Sequence, residues 1–336
     1  MKDERILLAH GNGGKLSHKL VDQLMRPAFS NTALDELHDG AKVTVDRADL
    51  AFTTDSYVVK PLFFSGGDIG KLAVCGTVND LAMSGAQARY LSAGFIIEEG
   101  FLYSDLVRIV ESMRSAAAEA GVKIVTGDTK VVENGAADGI FINTAGIGVL
   151  IEGVSISPIR ACPGQNIIVT GFLGDHAIAI MSERYGLSLP VTVTSDCAPL
   201  NMMIGELLTE VPEIAVLRDP TRGGLATVLK EIAVQARVGI MVDEATIPVR
   251  PEVLAVCNIL GFDPLYLANE GKAVIFVEAN YTEKALATLR RHAYGSDARV
   301  IGQVIATSPG QVGLRTAIGG VRLLDTLAND QLPRIC

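Results

Sequence analysis

The strongest constraint on this chain is an alternation of β-rich stretches with helices, present on both sides of one proline-bearing break. In the first half, 42–45 and 50–59 are rich in β-formers, and 69–83 is a mostly apolar helical stretch. A strand is predicted over 89–98. A helix follows, with Ser104 as its N-cap, Leu106, Ile109, Val110, Met113 and Ala117 on one face, and Gly121 as its stop. Strands at 123–126 and 140–151 complete the unit. The stretch 152–165 carries Pro158 and Pro163, has little periodicity and reads as a linker. Alternation then resumes. A strand at 166–170, helices near 175–185, 199–211 and 223–237, and a strand at 274–278 come first. A helix at 282–292, a strand at 299–305 and two short strands flanking Gly319-Gly320 follow. The expected architecture is α/β (α+β) in two domains, 1–155 and 156–324. Residues 325–336 form a polar, irregular tail with too little apolar surface to fix itself, which predicts a flexible segment.

Composition narrows the function classes. Hydrophobic residues are 49% of the 336, enough for sizeable cores, but aromatics are only 5% and Trp is absent. Aliphatic side chains must therefore do most of the packing. A net charge of −9 argues against a general nucleic-acid binder. It does not argue against a nucleotide screened by metal ions. The opening apolar run, 6–9, is short for a secretory signal. The best membrane candidate, 140–154, is broken by Asn143, three glycines and Glu152. A cytoplasmic protein with no membrane segment is expected. Five cysteines, an odd number with no CxxC pair, suit a reducing compartment.

Familiar catalytic signatures are absent. Gly70-Lys71 is followed by Leu72 and Gly271-Lys272 by Ala273, so neither is a Walker loop. There is no HExxH and no GxSxG. What stands out is a set of carboxylates in turn-like or glycine-rich settings: Asp55 in TTDSY, Asp80 after Asn79, Asp128 before Thr129 at a strand end, and Asp219 in DPTRGG. One such carboxylate is more often a cap or turn former than a ligand. Four together could hold Mg²⁺ against a triphosphate, because Mg²⁺ takes carboxylate plus phosphate oxygens. Two glycine loops precede helices and could meet phosphates through backbone N–H groups. One is His10-Gly11-Asn12-Gly13-Gly14-Lys15, and the other is Thr221-Arg222-Gly223-Gly224. Lys130 and Glu270 are charged groups beside apolar strands. Each reads either as a solvated ion pair or as a base with the partner that tunes it. Cys336 is the last residue. It is not a prenylation signal. On a twelve-residue tail that spans at most ~40 Å, it could enter a pocket, accept an acyl group as thiolate and swing out again.

Taken together, the motifs HGNGG, TTDSYVV, GTVNDLAMSGA, TGDTKVV, RDPTRGG, ANEGK and the terminal PRIC resemble the HypE family of hydrogenase maturation proteins, within the PurM-like ATP-binding superfamily. The resemblance spans essentially the whole chain, and PRIC is its most specific element. It implies a two-domain PurM-like fold, with the N-terminal domains of a homodimer pairing around a β-barrel, a C-terminal α/β sandwich, and ATP sites at the dimer interface. It implies ATP-dependent dehydration of a carbamoyl group on Cys336 to S-cyanocysteine. The carbamoyl group would come from a HypF-type carbamoyltransferase, and the cyano group would pass to iron on a HypC–HypD scaffold. It assigns metal and phosphate binding to Asp55, Asp80, Asp128 and Asp219. Glu270 and Lys130 become the proton-handling pair, with the base between them left open. Two other readings make different predictions. A selenophosphate-synthetase or thiamine-phosphate-kinase relative would act on a free small molecule, and the former usually carries a reactive cysteine near the N-terminus. Here the first is Cys75, in an apolar helix. A non-catalytic scaffold with a docking tail would consume no ATP.

Overall fold

The structure, a computed structural model, describes residues 14–20, 22–23, 40–45, 48–186, 192–327, 332 and 334–336. Two sheets organise it. The first has strands β1 (Ala41–Val45), β2 (Ala48–Tyr57), β5 (Ala86–Glu98), β6 (Lys123–Val132) and β7 (Ile140–Leu150), in the order β1-β2-β7-β5-β6. All neighbours are antiparallel except β5 and β6. A two-stranded ribbon, β3 (Phe63–Phe64) and β4 (Gly67–Asp68), leads into helix α2 (Ile69–Met83); α1 (Lys15–Leu20) lies earlier in the chain. Helix α3 (Tyr103–Ala120) packs on α2.

Helix α2 is apolar on nearly every side because it is buried on nearly every side. It lies between β2, β5 and β7, α3 and the second domain. Asp68 caps it, accepting from Gly70 N at 2.7 Å and Lys71 N at 3.1 Å. Gly76 has a steric reason: a Cβ there would stand 2.3 Å from the Tyr57 hydroxyl. The expected N-cap of α3 is displaced. Leu102 holds that position without a side-chain bond, and Ser104 lies in the first turn. Gly121 does stop the helix, at φ 68°.

The second sheet is seven-stranded, in the order β14-β13-β10-β12-β8-β11-β9. Its strands are β8 (Gln165–Val169), β9 (Val216–Arg218), β10 (Gly239–Asp243), β11 (Val274–Glu278), β12 (Arg299–Ile305), β13 (Val312–Arg315) and β14 (Val321–Leu324). Period-two alternation builds two cores. Ile167, Val169, Val274 and Phe276 face α6 (Gly224–Ala236). Ile168, Ile275 and Val277 face α5 (Asn201–Glu210) and α8 (Thr282–Leu289). Ala82 and Met83 of α2 join that last core, so the two domains share apolar packing. Helices α4 (Asp175–Tyr185) and α7 (Pro251–Leu260) pack together beside the ribbon.

Within one chain the first sheet is open, with β1 and β6 as its edges, and closes no barrel by itself; the expected barrel is one built from two chains. Unlike the flexible tail expected, the end of the chain is docked: Leu332 and Ile335 are 5% and 2% exposed, in the same core as α2. The tail fixes itself with few apolar groups because the body presents polar partners for its main chain. Among the described residues, no helix is long and apolar enough to cross a membrane.

Candidate active site

The site forms where the end of β2 meets the loops 219–224 and 269–272 of the second domain. Strand alternation turns Asp55 inward with Thr53 and Tyr57, toward α2. Ser56 N donates to its carboxylate at 2.9 Å. Asp80, on α2, accepts from Thr53 Oγ1 at 2.8 Å. Tyr57 is buried against this group, and its hydroxyl is held well above the usual tyrosine range, first by burial and then by the charges of Asp55 and Asp80.

From the second domain, Asp219 and Glu270 enter the same field. Asn269 locks their loops together: its amide donates to Pro220 O at 2.9 Å and its oxygen accepts from Gly174 N at 2.8 Å. Gly223 and Gly224 have φ of 77° and 62° and open α6. A Cβ on Gly224 would be 2.6 Å from Leu265 O, so the turn requires glycine. Asp219 is pushed up to about 6, first by burial and also by the charge of Asp55. Glu270 is raised well above the carboxylate range, by burial, then by Cys197, Asp219, Asp55 and Asp196. Its Oε1 is buried with no hydrogen-bond partner. Such an orphaned carboxyl in a cleft marks a candidate proton acceptor.

Cys336 completes the site. Arg222 Nη1 lies 3.5 Å from its sulfur. Burial pushes the thiol up to about 12. Arg222 opposes that shift, while Glu270 and Asp55 add to it. The sequence's most singular residue therefore sits among Arg222, Glu270 and Asp55.

Other expected residues are placed differently. Asn79 binds backbone: its amide donates to Ala198 O at 3.0 Å and Glu270 O at 3.3 Å, and its oxygen accepts from Leu200 N at 2.8 Å. It clamps α2 to the Glu270 loop. Asn79→Ala should lower unfolding stability by about 2–4 kcal/mol, since it strands buried backbone groups. A denaturant midpoint equal to wild type would remove this role.

Asp128 is not at a strand end, because β6 continues to Val132. Register puts it in a row with Ser56, Asn143 and Gly94, on the sheet face opposite Asp55. There Asp128 pairs with Lys130 at 2.7 Å, both exposed, and Lys130 holds the Asp128 carboxyl below its usual range. Both line a groove of about 430 Å³ that also reaches Tyr57 and Val58. Thr129 is exposed beside them. One chain therefore does not bring Lys130 to Glu270, or Asp128 to Asp55, Asp80 and Asp219. Thr221 stays with Arg222 and Gly223, its carbonyl accepting from Gly224 N at 3.0 Å. Gly14 is buried just before α1, while His10, Gly11 and Gly13 lie outside the described residues.

Sequence reasoning missed His176, Ser195, Arg184 and Asp138, which hold the tail. His176 Nε2 lies 2.8 Å from Ile335 O, and His176 Nδ1 lies 2.8 Å from Ser195 Oγ. Arg184 Nη2 donates to Arg334 O at 2.6 Å, and the Arg334 side chain pairs with Asp138. Only Arg334 had a signal, as part of PRIC.

Comparison with known proteins gives a consistent result. The family model for AIR synthase related protein, N-terminal domain, matches residues 37–150, and that for the C-terminal domain matches 162–315. The carbamoyl dehydratase HypE of Cupriavidus necator is 50% identical over 337 residues, covering 100% of this chain and 96% of the relative. A crystal structure of a HypE–HypF complex contains a chain that is 50% identical with a TM-score of 0.87, over 92% of this chain and 99% of that one. A crystal structure of HypE in complex with ATP matches with a TM-score of 0.83 at 50% identity, over 99% and 100%.

Proposed function

Since the chain belongs to the HypE family of carbamoyl dehydratases, we propose that it uses ATP to dehydrate a carbamoyl group carried on Cys336 to S-cyanocysteine. The single observation that carries this reading is the position of that sulfur, beside Arg222 and in the field of Glu270 and Asp55.

The chemistry follows from the bonds. In the S-carbamoyl group, oxygen is a poor leaving group. Attack of that oxygen on the γ-phosphorus of ATP releases ADP, and nitrogen gives up one proton. Loss of the second N–H proton then expels phosphate and leaves S–C≡N. Both steps need a base, and Glu270 has the buried, unpartnered carboxyl for it. Lys130, exposed beside Asp128, is the other member of the expected pair. Within one chain it stands apart from Glu270, in the groove next to Val58.

Asp55, Asp80 and Asp219 are the proposed carboxylates for Mg²⁺. Burial raises Asp219 first, and the charge of Asp55 adds to it. Among the described residues no three metal-ligating side chains converge, so phosphate oxygens would complete the shell. The ion would supply charge neutralisation for phosphoryl transfer. Backbone N–H groups at Gly223 and Gly224, at the start of α6, are suited to phosphate. Asp80→Ala should weaken Mg²⁺-nucleotide binding at least about tenfold by calorimetry, the scale of losing one charged contact. Unchanged affinity would take Asp80 out of the site.

The open face of the first sheet supports a homodimer. Phe52, Ile147 and Tyr90 form one exposed row across it, flanked by Val149 and Ile96. A second copy on that face would bring Asp128 and Lys130 to an interface and close the barrel. The relative solved with HypF supports a HypF-type carbamoyltransferase as the donor. An iron-bearing HypC–HypD scaffold is the proposed acceptor of the cyano group, for the nickel–iron hydrogenase centre.

Mass spectrometry of the C-terminal peptide tests the proposal. After incubation with the carbamoyl donor system, Cys336 should carry a carbamoyl adduct. After MgATP it should lose one water. An adduct that never loses water would overturn the assignment.

A further inference from the structure

We infer that His176 and Arg184 are positioning residues that grip the tail's main chain and set how long Cys336 stays docked. Its meaning for the reaction rests on Cys336 being the carrier, but its geometry does not.

The tail lies beside the chain that continues β2. Val58 N donates to Cys336 O at 3.2 Å and Lys60 N donates to Arg334 O at 3.3 Å. The Arg334 side chain returns a bond from Nε to Val58 O at 2.9 Å. The main-chain oxygens of 334 and 336 are taken by Lys60 N and Val58 N. That of Ile335 faces His176 instead, inside the protein. A buried carbonyl needs a donor. His176, fully buried and edge-on to Phe64, is placed to give it one.

Ser195 decides whether the imidazole can donate. Its Oγ accepts from Cys197 N at 3.1 Å. Its own proton is then available for His176 Nδ1, 2.8 Å away. Nδ1 accepts, so the neutral ring carries its hydrogen on Nε2, facing Ile335 O. Burial lowers the imidazole's proton affinity and keeps it neutral. Arg184 adds a fork across the seam: Nη2 donates to Arg334 O at 2.6 Å, and Nε donates to Lys60 O at 2.9 Å. It ties the tail to the segment on which it lies.

Both residues bond to main-chain oxygens of the tail, Ile335 O and Arg334 O. The grip is therefore indifferent to what the sulfur carries, whether hydrogen, carbamoyl or cyano. It fixes the depth to which any of these groups is inserted, while Arg222 is the group placed to sense the sulfur itself.

Alkylation of Cys336 by a maleimide, followed by mass spectrometry of the C-terminal peptide, measures the grip without ATP or a carbamoyl donor. A failure here is thus separate from a failure of dehydration. Arg184→Ala should alkylate about fivefold to tenfold faster than wild type, as expected for one or two lost hydrogen bonds. His176→Ala should be at least as fast, and His176→Gln slower than His176→Ala, because a carboxamide N–H can replace Nε2–H. Labelling of buried Cys75, Cys197 and Cys257 should stay at the wild-type rate. Should those cysteines accelerate in step with Cys336, the residues are merely structural and the inference fails. It fails also if folded Arg184→Ala and His176→Ala both label Cys336 at the wild-type rate. If His176→Ala does not fold, Arg184→Ala, at the surface end of α4, decides alone.

Discussion

Cys336→Ala should give a folded protein that binds ATP and never carries a carbamoyl or cyano group. The substitution removes one sulfur at the end of the tail, and the main-chain bonds to Val58, Lys60 and His176 remain available. Mass spectrometry after exposure to the donor system should find no adduct on any cysteine. The control is built in. Cys75, Cys197 and Cys257 are buried, and only Cys162 among the others is exposed, with its thiol raised by burial and the nearby Glu278. An adduct on Cys162 in the variant would count against Cys336 as carrier. The thiol's environment adds a sequence of events. Docked, it is pushed up to about 12. An unperturbed thiol sits near ~8.5, so the thiolate fraction at neutral pH rises on the order of 10³-fold when the tail leaves the cleft. In the proposed reaction, loading would belong to the undocked tail and dehydration to the docked one. The burial that makes the docked thiol a poor nucleophile would also shelter a neutral carbamoyl group from water.

Much of this was legible in the residues. The helix at 69–83 and the strands at 274–278 and 299–305 have the bounds expected of them, because each is a strongly periodic or wholly apolar run bounded by polar or glycine residues. Short strands of the second sheet, such as 216–218, were missed, since three residues carry no period. The carboxylates were visible as a set, but not which way each points. Asp55 and Asp128 sit on similar TxD motifs, yet strand register turns one to α2 and the other to the open face. That is a tertiary fact no local pattern encodes. Cys336 was found from its position alone. His176 and Arg184 were invisible because they act on backbone, and the sequence of the tail says nothing about which side chains will meet its carbonyls.

Glu270→Gln should slow conversion of the carbamoyl adduct to thiocyanate by about 10²–10⁴-fold, the usual worth of a general base, while leaving carbamoylation untouched. The substitution keeps shape and hydrogen-bonding capacity but cannot take a proton. The pH dependence gives the sign. Glu270 is raised well above the ordinary carboxylate value, first by burial and then by Cys197 and Asp219. Its ionised form is the base, so single-turnover dehydration should climb with pH through that raised value in wild type. The Gln variant should lose this limb. Stability runs the other way. A carboxyl whose folded pKa is raised keeps its proton in the native state after the unfolded chain has lost it. Its contribution is full below the unfolded value, near ~4.3, and is lost as pH rises toward the folded one. At neutral pH the wild type bears the cost of burying a carboxyl that the unfolded chain holds ionised, and the Gln variant does not. Glu270→Gln should therefore melt higher than wild type at pH 7 and nearly the same at pH 4, while being the slower enzyme. A variant that is both slower and less stable at pH 7 would mean that Glu270 holds the loop together, and another group, with Lys130 the first to examine, would have to take the proton.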